Sequence, residues 1–262
     1  MFALTICNEL KAFALRDALA PILSCANGPF IIPGAVYHEG YSAGSRRLLL
    51  VPDFAELLRG YRRFREHGYP RQKARYDQLV TEGQKPKLMI IGCSDSRVDP
   101  AQIFDVDPGQ IFVVRNVAAL VPPFEATPGQ HGVSAALEFA VNFLQVRQIV
   151  VMGHGRCGGC QAALTQEMHG RVQGEGGFVG NWVSLLDEAR GPIAEEYGTT
   201  GREAEKAMEL AAVRVSLQNL RTFPKVKERE EAGELVLRGA YFAIADGILH
   251  VLDQQTGEFS PA

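Results

Sequence analysis

The chain has 262 residues, of which 46% are hydrophobic and 22% charged, with Gly and Pro dispersed rather than gathered into low-complexity tracts. That composition excludes a disordered or collagenous chain and suits one packed α/β domain. A formal net charge of −3, with neither a Lys/Arg stripe nor a cluster of stacking aromatics, argues against nucleic acid or an anionic membrane as partner and for a small solute.

Residues 1–50 carry turn formers such as Asn27-Gly28-Pro29 and Pro33-Gly34 without a sustained period, and read as a loosely structured extension. The remainder, 51–262, reads as one domain, with a helical arm over 51–85 and an α/β core over 86–262. Asp53 is a candidate N-cap for a helix that ends at Gly68, and a second helical stretch is expected from about Pro70 to Thr81. Three short apolar runs follow, LMIIG at 88–92, IFVV at 111–114 and IVVMG at 149–153. Short, apolar and rich in β-branched residues, they predict buried parallel strands. Between the second and third, Val133, Leu137, Ala140, Val141 and Leu144 fall at helical spacing and predict a crossover helix. A long helix over about 203–222 precedes VLRGAYFAI and ILHVL, two strands joined at Asp246-Gly247, a hairpin signal. The expected fold is therefore a mostly parallel central sheet flanked by helices, with an N-terminal helical arm and an antiparallel C-terminal hairpin.

Five cysteines, at 7, 25, 93, 157 and 160, form an odd, uneven set that argues against a disulfide framework and for a reducing compartment, by default the cytoplasm. No apolar run reaches the roughly 18 residues of a membrane span. Charged residues Glu9, Lys11, Arg16 and Asp17 interrupt the N-terminus where a signal peptide needs its apolar region.

Two expected strands run directly into reactive residues: Cys93-Ser94-Asp95-Ser96-Arg97 after the first, and His154-Gly155-Arg156-Cys157-Gly158-Gly159 after the third. Ligand sites in open parallel sheets form at the carboxyl ends of strands. Loops leaving neighbouring strands about 4.8 Å apart can bring Cys93, His154 and Cys157 around one ion. Two thiolates and an imidazole suit zinc, and three protein ligands leave the fourth position open, as catalytic sites require. Cys160 is the candidate for a fourth, but a helix starting at Gly158 should carry it away. Taken singly, each cysteine would be a small core hydrophobe and His154 a hydrogen-bonded core residue; it is their joint placement after strand ends that points to a metal. Asp95 and Arg97 form either a local ion pair or a working dyad, in which the arginine keeps the carboxylate ionised as an acceptor for a zinc-bound oxygen.

CSDSR at 93–97 and HGRCGG at 154–159 together resemble the signature of the β-class carbonic anhydrases. The similarity continues through PGQIFVVRNVAALVPP at 108–123 and AALEFAV at 135–141 and covers roughly 53–253. The resemblance implies a carbonate dehydratase with one zinc per chain on Cys93, His154 and Cys157, interconverting carbon dioxide and bicarbonate by zinc-bound hydroxide that Asp95, paired with Arg97, orients. It also implies substrate contacts from Gln84, Phe112, Val117, Phe139 and the amide of Gly158, and a homodimer with shared active sites that can pair into a tetramer. Phe139 departs from a common Tyr. A bicarbonate-regulated subgroup carries Trp, Arg and Tyr where this chain has Ile90, Arg115 and Phe242, so the chain is similar to the plant-like, open-site type. Two other readings compete: a zinc hydrolase of carbon disulfide or carbonyl sulfide, which could share every zinc-site residue, and a thiol redox protein using Cys157-Gly158-Gly159-Cys160. The redox reading leaves Cys93, Asp95, Arg97 and His154 without a task.

Overall fold

In the computed structural model, residues 53–262 are described; the N-terminal extension, with Cys7 and Cys25, lies outside them. Asp53 caps the first helix by accepting from the Glu56 amide at 2.8 Å. That helix, α1 (Phe54–Arg63), does not stop at Gly68 as its sequence suggests. It continues through a π-helical turn, Phe64–Gly68, into α2 (Tyr69–Glu82), with Gly68 itself helical at φ −74° and ψ −54°. The reason is Pro70. It has no N–H to give and its ring would press on the carbonyl one turn back, so a wider turn, closed by Tyr69 N–H to Phe64 O, lets the helix pass it. α2 then lies on the loop before the second strand, where Arg75 donates to the Pro108 carbonyl at 3.0 Å. Leu79 covers Gly109, at which a Cβ would come within 2.5 Å of it and φ is +83°, so only glycine meets both demands.

The strands β1 (Leu88–Cys93), β2 (Ile111–Asn116) and β3 (Gln148–His154) stand where the apolar runs predict them. A short helix α3 (Pro100–Ile103) follows β1, and α4 (Gly132–Glu138) with a π-helical turn at Phe139–Phe143 makes the crossover to β3. After β3 come α5 (Gly158–Thr165), α6 (Gly177–Val183), α7 (Asp187–Tyr197), α8 (Arg202–Leu220) and α9 (Pro224–Glu231). The chain closes with β4 (Val236–Ala243), β5 (Ile248–Leu252) and β6 (Phe259–Pro261).

The sheet order is β2-β1-β3-β4-β5-β6. β2, β1, β3 and β4 are parallel, while β5 and β6 are antiparallel additions, so the hairpin turns at Gly247, φ +68°, as its sequence requires. Period-2 alternation divides the core. Met89, Ile91, Ile149 and Val151 face Leu137, Val213, Leu217 and Leu220 on one side, while Ile90, Met152 and Ala240 face the other. Each fully buried side chain of this kind contributes about 1.5–3 kcal/mol. The Lys73–Asp77 pair, with both side chains more than half exposed, falls in the class worth ~0–1 kcal/mol. Burial of the inner strands therefore dominates. None of the helices among the described residues is long and apolar enough to cross a membrane.

Candidate metal centre

β1 and β3 are direct neighbours in register, Gly92 opposite Met152, so both strands deliver their last residues to the same edge. Cys93 ends β1, His154 ends β3, and Cys157 occupies the N-cap position of α5. All three are buried, and their ligand atoms lie within 4.8 Å of one another. The two Sγ atoms are 3.9 Å apart. Two thiolates at about 2.3 Å from a tetrahedral zinc would stand about 3.8 Å apart, so the spacing fits. Cys160, on the next turn of α5, is buried but not a member of this group.

The histidine supplies a second test of fit. Its Nδ1 lies 2.9 Å from the Gly155 carbonyl, and a carbonyl only accepts, so Nδ1 carries the proton and Nε2 presents a lone pair. Nε2 is buried and has no hydrogen-bond partner. A buried bare nitrogen costs free energy unless something takes its lone pair. An ion held with Cys93 and Cys157 would do so, with the Gly155 carbonyl setting the tautomer from behind. These residues could hold one zinc ion. In the protein alone both thiols stay protonated. Hydrogen bonding to Cys157 and then burial push Cys93 up to about 12; hydrogen bonding from Cys160 and burial push Cys157 to about 12, against a lowering contribution from Cys93.

Asp95 turns both carboxylate oxygens to Arg97. Oδ1 accepts from Nε at 2.9 Å and from the Arg97 amide at 2.9 Å, and Oδ2 accepts from Nη2 at 2.7 Å. This bidentate contact holds the Asp95 carboxyl well below the usual carboxylate range. Oδ2 is also 3.9 Å from His154 Nε2, which places an ionised acceptor beside the three ligands. Arg97 is tied in turn to the Arg156 carbonyl at 3.0 Å, joining the two loops.

Arg115 braces the same turn from below. It donates to the Cys93 carbonyl at 2.8 Å, the Asp95 carbonyl at 2.6 Å and Asp99 Oδ2 at 3.0 Å, so its guanidinium is committed to backbone and to the residue that caps α3. Ile90 is buried in the sheet and Phe242 packs against the apolar cluster around Cys93 and Cys157.

A second support was not visible in the sequence. Glu209 of α8 is 2% exposed and accepts from both terminal nitrogens of Arg202 at 2.8 Å each and from the Tyr241 hydroxyl at 2.8 Å. It also lies 3.4 Å from the Cys157 amide. Burial and then Glu209 raise the Tyr241 pKa, which keeps that hydroxyl a donor. The helix expected over about 203–222 does not reveal this by itself: Glu209 sits on its buried stripe with Met208, Ala212 and Val213. A carboxylate at that position in the apolar repeat was the available signal.

The remaining expected contacts divide. Val117 lies over the start of α5, where a Cβ on Gly159 would meet it at 2.6 Å, and Gly158 opens that helix, where the first-turn amides have no intrahelical acceptor. Both stand by the cluster. Phe112 and Phe139 meet each other, ring centroids 5.9 Å apart, and Phe139 continues to Phe143 at 5.7 Å. Phe112 pairs with Met89, four residues before Cys93, or about 13 Å along the strand. Gln84 precedes β1 altogether, at the end opposite Cys93. One chain thus brings together Cys93, His154, Cys157, Asp95, Arg97, Val117 and Gly158, and leaves Gln84, Phe112 and Phe139 elsewhere.

A family model described as carbonic anhydrase matches residues 88–249. Beta carbonic anhydrase 5, chloroplastic, of Arabidopsis thaliana is 34% identical over 194 residues, covering 74% of this chain; the chain spans 62% of that relative's length. Among solved structures, the β-carbonic anhydrase CcaA superposes with a TM-score of 0.72 at 30% identity, over 79% of this chain and 91% of that one. One of two tetrameric β-carbonic anhydrases of the filamentous ascomycete Sordaria macrospora gives 0.66 at 29% identity, over 79% of this chain and 98% of that one.

Proposed function

Because the chain belongs to the β-class carbonic anhydrases, we propose that it hydrates carbon dioxide reversibly to bicarbonate and a proton at the Cys93–His154–Cys157 centre. The observation that carries this reading is the buried, unpartnered Nε2 of His154 facing two thiols, with an ionised carboxylate 3.9 Å away. Zinc, when bound there, supplies the Lewis acidity that brings hydroxide within reach of neutral pH.

The chain's own residues do the rest. Asp95, acceptor-only while Arg97 holds it ionised, takes a hydrogen bond from the attacking water and fixes the direction of its remaining lone pair. Val117 walls the approach with hydrocarbon, which suits a small apolar substrate. The Gly158 amide, in the first turn of α5 and so without an intrahelical acceptor, would donate to the negative charge that develops on the substrate. Since Asp95 is spent on Arg97 and Arg115 on backbone carbonyls, we assign the open-site type. Ile90 and Phe242 add no polar group with which Arg115 could hold bicarbonate.

Gln84 and Phe112 lie along the sheet away from their own centre, with Phe139 packed on Phe112, and would reach a centre from a second copy. We therefore propose a dimer with two shared sites. Exposed apolar residues on the arm, Leu58, Tyr61 and Phe64, and on the crossover helix, Phe139 and Phe143, favour such an interface. Pairs of dimers would make a tetramer.

The test is metal analysis and stopped-flow hydration on one purified sample, with carbon disulfide and carbonyl sulfide assayed beside carbon dioxide. About one zinc per chain with hydration and no sulfide release supports the reading. Zinc without hydration, or sulfide release faster than hydration, sinks it.

A further inference from the structure

At the end of the sheet opposite the metal centre, a groove runs between the crossover helix and α9. One section, ≈ 300 Å³, is lined by Phe124, Leu137, Val141, Phe223 and Val226, with His131, Ser134, Glu138 and Asn142 at its margin. The other, ≈ 660 Å³, is lined by Lys87, Arg147, Lys225 and Arg229 with one carboxylate, Glu234. Val141, Asn142 and Lys225 border both, so the sections are continuous. The charge is unevenly divided: four cations face one carboxylate in the second section, whereas Glu125 and Glu138 border the apolar one. Volumes of this size belong to small-molecule sites.

Two of the four cations are committed. Lys225 pairs with Glu228 at 2.6 Å, and Arg229 donates to the Val141 carbonyl at 2.8 Å and sits 3.4 Å from Glu234. The side chains of Lys87 and Arg147, which line the same section, have no hydrogen-bond or ion-pair partner among the described residues. Their backbones are hydrogen-bonded side by side, Arg147 N to Lys87 O at 2.8 Å, so both side chains leave from neighbouring positions just before β1 and β3, and both line this section. The geometry points to a binding site for a nucleoside diphosphate, with its phosphates on Lys87 and Arg147 and its base in the apolar section.

The polarity of the groove selects that class. Phosphates need the cationic end. Phe124, 47% exposed, stands edge to face on the buried Phe223 at 5.5 Å and offers a wall for a flat ring. Glu138, Asn142 and His131 at the margin can satisfy ring nitrogens and an exocyclic amine, which a lipid tail would leave unused. Ser134, Glu138 and Asn142 form one stripe of the crossover helix at four-residue spacing, whereas Phe139 and Phe143 lie on the adjacent stripe. The site uses none of the metal-centre residues, so it stands or falls apart from the hydration reading.

The experiment is titration calorimetry of the full-length zinc-loaded protein at low salt with ADP, inorganic pyrophosphate, adenosine and a single-stranded oligonucleotide. ADP should bind saturably, once per chain, more tightly than pyrophosphate or adenosine, and weaken as salt rises. Lys87→Gln and Arg147→Gln, which keep most of the aliphatic stem and remove the charge, should each weaken ADP about tenfold or more. Phe124→Ala should weaken ADP and leave pyrophosphate unchanged, and melting curves verify that each variant is folded. Four results overturn the site: no saturable ADP binding, undiminished binding in both glutamine variants, equal affinity for ADP and pyrophosphate, or tighter binding of the oligonucleotide than of ADP.

Discussion

Asp95 meets Arg97 through both carboxylate oxygens, at 2.9 and 2.7 Å, while one of those oxygens stands 3.9 Å from the bare nitrogen of His154. A surface ion pair two residues apart contributes little to stability. Here its effect is on ionisation, because it keeps the carboxylate an acceptor next to the centre.

Asp95→Asn should therefore retain about one zinc per chain and lose hydration by about 100-fold or more, the scale of a lost positioned acceptor or base. The amide has one oxygen and can present N–H where only an acceptor serves. Metal content and kcat measured together check it, and a variant with both wild-type zinc and near-wild-type kcat would remove Asp95 from the reaction.

Cys93→Ala, His154→Ala and Cys157→Ala should each lose the metal, and Cys160→Ala should keep it. Elemental analysis after gel filtration decides, and near-stoichiometric zinc in any of the first three would break the ligand set.

Metal uptake should depend steeply on pH. Both thiols are raised to about 12 in the protein alone, so binding must displace two protons, and below that range the apparent affinity should climb by up to about 100-fold per pH unit. The sign is that acid favours the metal-free protein. Competition against a chelator from pH 6 to 8 reads the slope, and a pH-independent affinity would contradict it. Hydration should also still be rising above pH 7, since two thiolates cancel the metal's charge and leave its water less acidic than an all-histidine site would; a rate already level at pH 6.5 would count against that.

Gln84→Ala and Cys157→Ala, each strongly impaired alone, should recover activity on co-expression. If each centre takes its metal ligands from one chain and Gln84 from the other, a mixed dimer has one site with both defects and one with neither, giving up to about half of wild-type activity per mixed dimer. With both variants verified as dimeric, no recovery would mean that the sites are not shared in this way.

Glu209→Ala should lower stability by about 2–4 kcal/mol, because Arg202 and the Tyr241 hydroxyl lose their acceptor inside the fold. Denaturant curves at fixed protein concentration measure it, and a change under about 0.5 kcal/mol, the range of ordinary surface substitutions, would show the network to be dispensable.

The parallel strands and the ligand triad were legible because each rests on local pattern: LMIIG, IFVV and IVVMG are too short and too branched for free helices, and reactive residues follow two of them at once. The Asp53 cap and the Gly247 hairpin were legible for the same reason. Gly68 misled, since a glycine followed closely by a proline reads as a stop, and only the π-helical turn reveals that the helix widens past Pro70. Glu209 and Arg115 were illegible in their roles. Glu209 meets Arg202 and Tyr241, 7 and 32 residues away, and Arg115 meets Cys93 and Asp95, 22 and 20 residues away, only after folding has brought strands and helix together, so neither set of partners can be read from local pattern. In the proposed dimer Gln84 would serve the other chain's centre, a relationship that no pattern within one chain expresses.

Cys93 and Cys157 are 64 positions apart in sequence and 3.9 Å apart in space. An ion gripping both would close a long loop, and with His154 it would fasten the ends of two strands to the first turn of α5. Such a clasp restricts the unfolded chain much as a covalent staple does, with a loop-closure entropy that grows only slowly with length. It also ties catalytic competence to folding free energy, because whatever binds only the folded chain stabilises it by mass action. The same three side chains would then set both how fast the protein works and how long it lasts when the metal is withdrawn.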